Sequence, residues 1–420
     1  MNNEKLLNRN FLMVVIGQMV SIFGNAVLRF ALPLYILDQT GSSTIFGTIL
    51  AIATIPTLLF SPLGGIMADR FNRRNLMVIL DLLTAAVIGG FSFFLSTGPI
   101  VLVIAALMVI FSIIQSFYQP AVQASIPLIS SKDNLEKANG FISLVNALSN
   151  LLAPLFAGIL YGALGIRPIM ISAVICFFLA AVMEMFIIMR FERKHHDESI
   201  ISIIRSDLKV SINYMVKDTP VIIKAMLVIS GINLFLTPVI LVGLPAIIKI
   251  KLALSSQLYG LTQGVMAAGM IIGGIIISVI GKKIEIEEVY KMLFYASMGL
   301  LPIALSLSIK MSVMVVYWTI SICCFVITIF ITMCNITMIS FIQRETPDHL
   351  IGKVISYIFM MARSTLPVGQ AMYGFLFEVV IDYLNILLFV TALCSGWIAV
   401  YSKRVFSALP AKAKYDSVSH

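Results

Sequence analysis

The stretch Gly65-Ile-Met-Ala-Asp-Arg-Phe-Asn-Arg-Arg74 lies between two long apolar runs and gives the strongest indication of the fold. It carries one carboxylate, Asp69, and three arginines within six positions. Such a cluster cannot lie in hydrocarbon, because each charged side chain at the centre of a bilayer costs about 3 kcal/mol or more. The stretch is therefore predicted to be a short turn at a membrane surface. Asn72 stands where the chain reverses, and asparagine tolerates the left-handed conformation that a short turn often needs.

The apolar runs around this turn have the length of membrane spans. Of the 420 residues, 60% are hydrophobic and 12% are charged, whereas a soluble domain has about 25% charged residues. A spanning helix needs roughly 20 apolar residues. Twelve runs of that kind are predicted, at 11–37, 43–67, 76–96, 99–123, 138–163, 167–190, 221–247, 257–280, 290–309, 311–338, 353–377 and 381–402. The predicted fold class is an all-α membrane protein with twelve transmembrane helices.

One long polar connection divides the twelve spans into six and six. The predicted domains are an N-terminal six-helix bundle at 1–190, a cytoplasmic linker at 191–219, a C-terminal six-helix bundle at 220–402 and a cytoplasmic tail at 403–420. Within the linker, apolar residues between 200 and 216 recur at helical spacing. This spacing favours an amphipathic helix that lies on the membrane surface.

The net charge of +9 follows the membrane topology and does not indicate nucleic-acid binding. When the amino terminus is placed in the cytoplasm, most of the 29 lysine and arginine residues fall in the termini and loops on that side. The opposite side has only Arg167, Lys249, Lys251 and Lys310. Because cytoplasmic loops of membrane proteins are enriched in basic residues, both termini are predicted to be cytoplasmic.

The basic turn resembles the loop signature of the major facilitator superfamily, Gly-x-Leu-Ala-Asp-Arg-x-Gly-Arg-Arg. The positions that match are Gly65, Ala68, Asp69, Arg70, Arg73 and Arg74. Met67 replaces the leucine of the signature, and Asn72 replaces its second glycine. The resemblance implies two pseudo-symmetric six-helix bundles around a central cavity, and a transporter rather than an enzyme.

The resemblance also implies that the turn acts in conformational gating. In this superfamily the carboxylate at the position of Asp69 contacts the cytoplasmic start of span eleven, here near 353–356, and the arginines brace the same closure. The predicted gate residues are Gly65, Asp69, Arg70, Arg73 and Arg74. A weaker copy of the turn, Gly274 followed by Gly281-Lys282-Lys283, occurs in the second half and supports a repeat of the two bundles.

Within the superfamily, the chain is most similar to bacterial macrolide-efflux-type drug exporters. This finer likeness rests on stretches of the amino half, namely Phe30-Ala-Leu-Pro-Leu-Tyr-Ile-Leu-Asp-Gln-Thr-Gly41, Asp81-Leu-Leu, Tyr118-Gln-Pro-Ala-Val-Gln-Ala-Ser-Ile-Pro127 and Ala138-Asn-Gly140. The likeness implies export of hydrophobic compounds.

Proton coupling is implied by the family likeness, since the sequence places no carboxylate at the centre of spans one, four, seven or ten. Span five contains Asn150-Leu-Leu-Ala-Pro-Leu-Phe-Ala-Gly158, which partly resembles the Gly-Pro-x-x-Gly-Gly signature of proton-driven antiporters. Ala153 and Ala157 replace two glycines there, and small residues equally favour close helix packing. Asp81 in span three and Glu184 in span six are candidate proton carriers. Both lie near the cytoplasmic ends of their spans, so pairing with headgroups or basic loops is the alternative.

Amides and two arginines inside the spans predict a polar lining for a cargo cavity, since such groups are costly in hydrocarbon. The candidates are Asn25, Arg29, Gln115, Gln119, Asn146, Asn233, Gln263, Asn335 and Arg363. The arginines could instead form ion pairs, Arg29 with Asp38 or Glu378, and Arg363 with a neighbouring carboxylate or backbone carbonyls. A mostly apolar pocket with scattered amides suits bulky amphiphilic compounds.

The sequence therefore predicts a monomeric secondary transporter of the bacterial cell membrane, surrounded by lipid, that exports a small-molecule drug or natural product in exchange for protons. An anionic metabolite or siderophore, bound by Arg29 and Arg363, is the alternative cargo. No catalytic site is predicted, because all four histidines lie in loops or the tail and no glycine-rich phosphate loop is present. The five cysteines show no paired spacing, so neither a metal nor a cofactor is expected.

Overall fold

The structure, a computed structural model, describes residues 9–95, 98–129, 135–189, 220–281 and 284–407. Within these ranges every regular element is helical. The α-helices are α1 (Arg9–Thr40), α2 (Ser43–Arg70), α3 (Arg73–Phe94), α4 (Ile100–Ile129), α5 (Leu135–Leu164), α6 (Ile166–Met185), α7 (Pro220–Pro238), α8 (Ser256–Ile280), α9 (Val289–Met298), α10 (Leu300–Ser308), α11 (Val313–Glu345), α12 (Asp348–Val379) and α13 (Leu384–Ser407). The amphipathic helix predicted at 200–216 lies outside the described residues.

These helices form twelve rods of membrane-spanning length in the described part of the chain, as predicted. The helices α9 and α10 make up one rod that is interrupted at Gly299, and two π-helical stretches, Val239–Gly243 and Ala246–Lys251, prolong α7. Eleven of the rods meet the length and hydropathy of a membrane span, and α12 covers the remaining predicted run. A chain in hydrocarbon must satisfy its backbone hydrogen bonds internally, which is why long apolar runs become helices.

Contacts divide the chain into two compact units, which we call unit 1 and unit 2. Unit 1 consists of Met1–Ile200 with Pro245–Gly264, and unit 2 of Ile201–Leu244 with Val265–His420. In unit 1, α1 packs against α5 and α6, and α3 packs against α4 and α6. In unit 2, α7 packs against α12 and α13, and α9 packs against α11 and α13. The same pairings thus recur in the same order, as expected of two repeated six-helix bundles.

The basic turn between α2 and α3 contains only two residues outside the helices, Phe71 and Asn72. Asn72 has φ −62° and ψ 113°, and its side chain accepts a hydrogen bond from the backbone N–H of Asn75 at 3.4 Å. The expectation of a left-handed conformation at Asn72 is therefore wrong. The residue is the N-cap of α3, where asparagine satisfies a backbone donor that the first helical turn leaves unpaired.

The helix before this turn approaches α4 closely at a glycine. A Cβ on Gly64 would overlap the backbone carbonyl of Ser116, whereas a Cβ on Gly65 would meet nothing within 4 Å. Helix association in lipid depends on van der Waals packing, because lipid tails are as apolar as the side chains. Gly64, and not the signature residue Gly65, therefore permits the packing of α2 on α4.

Large apolar side chains cover the outside of the bundles. Phe93 is 79% exposed, Leu102 67% and Trp397 70%. A protein in water rarely exposes such surface over a wide area. Lipid solvates it without cost, so the exposure agrees with the predicted membrane location.

Candidate functional site

Unit 1 contains a buried polar cluster, which we call the carboxylate cluster. It consists of Gln18 and Ser21 of α1, Asp81 of α3, Tyr118 of α4 and Glu184 of α6. Each of these five residues is at most 1% exposed. Four helices of the N-terminal half thus bring their polar side chains together inside an otherwise apolar bundle.

Hydroxyl and amide groups hold the two carboxylates in this cluster. The Gln18 Nε2 donates to the Tyr118 hydroxyl at 2.8 Å, and that hydroxyl donates to Glu184 Oε1 at 2.8 Å. The Ser21 Oγ donates to Asp81 Oδ1 at 3.2 Å. The second carboxylate oxygens, Asp81 Oδ2 and Glu184 Oε2, are buried and accept no hydrogen bond.

No described lysine or arginine forms an ion pair with either carboxylate. Asp81 and Glu184 lie close enough to interact electrostatically with each other. Their burial and their hydroxyl partners disagree with the alternative that they pair with headgroups or basic loops. A buried charge without a counter-ion costs several kcal/mol, on the order of 3 to 5 for a broken ion pair. The arrangement therefore suits carboxyl groups that take up and release protons.

Three members of the cluster, Gln18, Ser21 and Tyr118, are not among the predicted site residues. Gln18 and Ser21 are polar residues three positions apart in an apolar run, a spacing that places both on one face of α1. Tyr118 was noted only as part of a sequence likeness. The helical spacing of Gln18 and Ser21 could have indicated a polar face on α1. Periodicity alone does not show that this face of α1 contacts Asp81 and Glu184.

Arg29, two turns beyond Ser21 on α1, contacts no carboxylate. Its Nε donates to Asn25 Oδ1 at 2.8 Å, and its Cζ lies 5.4 Å from the centre of the Phe111 ring on α4. The guanidinium is solvent-accessible although protein atoms surround it densely. Among the described residues it has no anionic partner, so the structure does not show the alternative pairing with Asp38.

Asp38 has other partners near the end of α1. The Lys249 Nζ lies 3.1 Å from Asp38 Oδ1 and donates to Ser256 Oγ at 2.9 Å. The Tyr161 hydroxyl donates to Asp38 Oδ2 at 2.9 Å. These residues all belong to unit 1, and they attach the segment Pro245–Gly264 to α1 and α5.

The predicted amides of unit 1 do not form one group. Gln115 is buried and its Nε2 has no hydrogen-bond partner, whereas Gln119 is exposed. Asn146 donates to a carbonyl of its own helix at 3.0 Å. Gln263 donates to the hydroxyl of Tyr259 at 2.8 Å.

In unit 2, Asn233 and Asn335 line one cavity together. The cavity lies between α7, α9 and α11, has a volume of about 50 Å³ and is otherwise lined mainly by apolar side chains. The Asn233 Nδ2 donates to the Ala362 carbonyl at 3.0 Å. Ligand pockets typically measure about 300 to 1,000 Å³, so these amides form a polar subsite rather than a complete pocket. Arg363 is exposed on the neighbouring α12.

Arg73 and Arg74 of the basic turn contact backbone carbonyls of helices in unit 1. The Arg73 Nε donates to the Ala68 carbonyl at 3.0 Å, and its Nη1 donates to a carbonyl of α4 at 2.9 Å. Arg74 donates to the carbonyl of Met185, the last residue of α6. Carbonyls at helix carboxyl ends carry partial negative charge and favour such cations. The side chain of Asp69 lies outside the described residues, so its gating role stays a prediction.

Comparison with known families agrees with the signature in the basic turn. A model of the Major Facilitator Superfamily matches residues 14–370 of the chain. The chain belongs to the Major Facilitator Superfamily. It is therefore a multi-pass membrane transporter and not an enzyme, as predicted.

Individual relatives place this superfamily member among bacterial transporters. It is 31% identical to macrolide efflux protein A of Streptococcus pyogenes over 163 residues, which are 38% of this chain and only 39% of the relative. It is 23% identical to the staphyloferrin A transporter of Staphylococcus aureus over 360 residues, 83% of this chain and 84% of the relative. The crystal structure of a bacterial homologue of the iron transporter ferroportin has a TM-score of 0.73 at 14% identity, with 94% of this chain and 99% of that chain covered. This structural likeness shows the fold alone.

Proposed function

We propose that this protein is a secondary active transporter of the bacterial cytoplasmic membrane that exports a hydrophobic or amphiphilic drug or natural product. Transport proceeds by alternating access and is coupled to protons. The similarity to macrolide efflux protein A supports export, although it spans 39% of that relative. The apolar cavity around Asn233 and Asn335 supports a cargo that is mostly apolar with a few polar groups.

The carboxylate cluster is the observation that supports proton coupling. Asp81 and Glu184 share a site without a cation among the described residues, and each retains one buried oxygen without a hydrogen bond. Adding a proton to such a carboxyl removes a buried charge and creates a hydroxyl donor. The cluster joins α1, α3, α4 and α6, so its protonation state changes the packing of four helices. If a conformational change alters the proton affinity of this site, then proton binding must, by thermodynamic linkage, shift the equilibrium between the two conformations.

The test is export of erythromycin from cells that express the chain, with and without a protonophore. We expect the protonophore to raise cellular erythromycin to the level of cells without the chain. Asp81→Asn and Glu184→Gln should each abolish proton-driven export, whereas Glu285→Gln, in the connection between α8 and α9, should not. Export that ignores the protonophore, or that both cluster variants retain, contradicts proton coupling.

A second candidate cargo is an anionic metabolite or siderophore. Arg29 favours it, because no described carboxylate neutralises this guanidinium. The similarity to the staphyloferrin A transporter, which extends over 83% of this chain, also supports it. If this cargo is correct, Arg29→Ala and Arg363→Ala should impair transport of an anion. A cargo without charge whose flux neither substitution changes would remove this candidate.

We infer that both termini lie in the cytoplasm and that the protein acts as a monomer with lipid around it and no nucleic-acid partner. The bias of basic residues towards one set of loops supports this orientation. Fusions of alkaline phosphatase to either end should be inactive, because that enzyme requires the periplasm. Activity at one end would contradict the orientation.

A further inference from the structure

Arg29 presents an unused hydrogen-bonding edge inside a membrane span. Its Nε is occupied by Asn25 Oδ1 at 2.8 Å, while Nη1 and Nη2 have no hydrogen-bond partner among the described residues. These two nitrogens form the end of the guanidinium, which can donate to both oxygens of one carboxylate. The bond to Asn25 and the Phe111 ring, 5.4 Å from Cζ, hold the group in position. Little side-chain freedom is therefore lost when a ligand binds.

Gln115 places a second unused donor on the facing helix. It is 6% exposed, and its Nε2 is buried without a hydrogen-bond partner. It lies one turn from Phe111 on α4, on the same face. Two contacts between α1 and α4 flank it, that of Phe111 with Arg29 and the 2.8 Å hydrogen bond of Tyr118 with Gln18. An unpaired buried donor is unfavourable, and this one has already lost its contact with water. A hydrogen bond from Gln115 to a bound acceptor therefore costs little further desolvation of the donor.

Arg29, Asn25 and Gln115 each present an unused nitrogen donor. Arg29 offers Nη1 and Nη2, Gln115 offers Nε2, and Asn25 retains Nδ2 because its oxygen accepts from Arg29. A set of donors that carries one full positive charge binds an oxyanion and repels a cation. The planar guanidinium edge matches a carboxylate best, since the two N–H groups and the two oxygens align in parallel.

We propose that Arg29, Asn25 and Gln115 form a carboxylate-binding site between α1 and α4, at which the cargo docks by an acidic group. This inference rests on the second candidate of the proposed function, an anionic cargo, and narrows that cargo to compounds that carry a carboxylate. Arg29 binds the carboxylate, Gln115 donates to one of its oxygens, and Asn25 positions the guanidinium.

The experiment measures binding of two fluorescent dyes to the purified full-length protein by fluorescence polarisation. Fluorescein is an anion with a carboxylate at neutral pH, and tetramethylrhodamine methyl ester is a cation with a similar ring system. We expect fluorescein to bind at least about tenfold more tightly than the ester, a difference of ~1.4 kcal/mol. Arg29→Gln should weaken fluorescein binding about tenfold and leave binding of the ester unchanged or stronger.

Three further variants separate the contributions of charge and geometry. Arg29→Lys keeps the charge but loses the paired donors, so its affinity for fluorescein should be intermediate. Gln115→Leu should weaken fluorescein binding about threefold, the value of a lost hydrogen bond. Lys310→Gln changes the net charge as Arg29→Gln does, but it lies between α10 and α11 and should have no effect.

The outcomes distinguish this site from the proposed function, because binding is measured without transport. Arg29-dependent binding in a protein that exports no erythromycin supports the site and counts against drug export. Binding of both dyes with equal affinity, no binding of fluorescein, or fluorescein binding that Arg29→Gln leaves unchanged overturns the site. The assay is repeated in nanodiscs of phosphatidylcholine with and without phosphatidylglycerol. Displacement of fluorescein by phosphatidylglycerol, lost in Arg29→Gln, would assign the site to a lipid headgroup and overturn its role in cargo binding.

Discussion

Tyr118 connects the two sides of the carboxylate cluster through a single hydroxyl group. It accepts from Gln18 and donates to Glu184, both at 2.8 Å, and is 1% exposed. Both hydrogen-bonding functions of the hydroxyl are thus used in a place that water does not reach. The ring fills space between helices, whereas the oxygen holds Glu184 in a defined orientation.

We predict that Tyr118→Phe keeps the packing of the ring but slows proton-driven export. The substitution leaves the Gln18 amide and Glu184 Oε1 without their partner, which should lower the free energy of unfolding by about 1 to 3 kcal/mol. Thermal unfolding in detergent and export of erythromycin would measure the two effects. Tyr35→Phe is the control, because Tyr35 makes a ring contact with Tyr161 but its hydroxyl forms no hydrogen bond with any residue that the structure describes. Equal behaviour of the two variants would contradict a role of the Tyr118 hydroxyl.

Arg29 also limits which cargo can approach it. Two unit charges of the same sign 5 Å apart repel each other by about 3 kcal/mol at an effective dielectric constant near 20. A cationic compound would therefore be disfavoured near Arg29 unless an anion accompanies it. The alternative pairing of Arg29 with Asp38 is excluded by helix geometry, since a rise of 1.5 Å per residue separates the two positions by about 14 Å along α1.

Among the helical elements, α2 and α4 make a contact that only glycine allows. Gly64 faces the backbone of Ser116 so closely that a methyl group would displace one of the helices. The neighbouring Gly65 belongs to the signature that identified the fold, yet it faces open space in this structure. Helix packing therefore depends on Gly64, whereas any role in gating would belong to the adjacent Gly65.

We predict that Gly64→Ala destabilises the protein whereas Gly65→Ala does not. Forcing a methyl group into a packed contact costs typically about 1 to 3 kcal/mol. The midpoint of thermal unfolding in detergent should therefore fall for Gly64→Ala and stay close to wild type for Gly65→Ala. If Gly65 acts in the gate, its variant should lose transport without losing stability. Equal loss of stability in both variants would contradict the assignment of the contact to Gly64.

Span five shows how a motif can have a packing role. A Cβ on Gly158 of α5 would lie 2.8 Å from the carbonyl oxygen of Ser256, and a Cβ on Gly260 of α8 would lie 2.8 Å from that of Pro154. Ala157 beside them is fully buried. The small residues that resemble an antiporter signature thus allow α5 to approach the segment Pro245–Gly264 within unit 1. This contact accounts for the small residues whether or not antiport occurs.

For the whole molecule, the basic turn is the feature to which the family resemblance assigns a role in gating. Arg73 and Arg74 donate hydrogen bonds to backbone carbonyls of α2, α4 and α6. They hold the turn against unit 1. The other two charges of the signature are those of Asp69 and Arg70, and the resemblance assigns to Asp69 a contact with the start of span eleven.

We predict that Asp69→Asn lowers the rate of erythromycin export about tenfold, which corresponds to ~1.4 kcal/mol. The substitution removes the charge that a helix amino terminus would attract, while it keeps the size of the side chain. The amount of protein in the membrane and its unfolding temperature should stay as in wild type. Asp382→Asn, in the turn before α13, is the control. Normal export by Asp69→Asn would contradict the gating role.

The twelve helical rods, their arrangement as two repeated bundles and the family are all predictable from the amino-acid sequence. These properties depend on local features, namely the length of apolar runs and the position of charges, which partition between lipid and water independently of how the helices pack. Asp81, Glu184 and Arg29 were recognised for the same reason, as ionisable groups in hydrocarbon. Only the tertiary structure decided their partners. When every face of a helix is apolar, periodicity does not specify its rotation or register, so the meeting of Gln18, Tyr118 and Glu184 follows from packing alone.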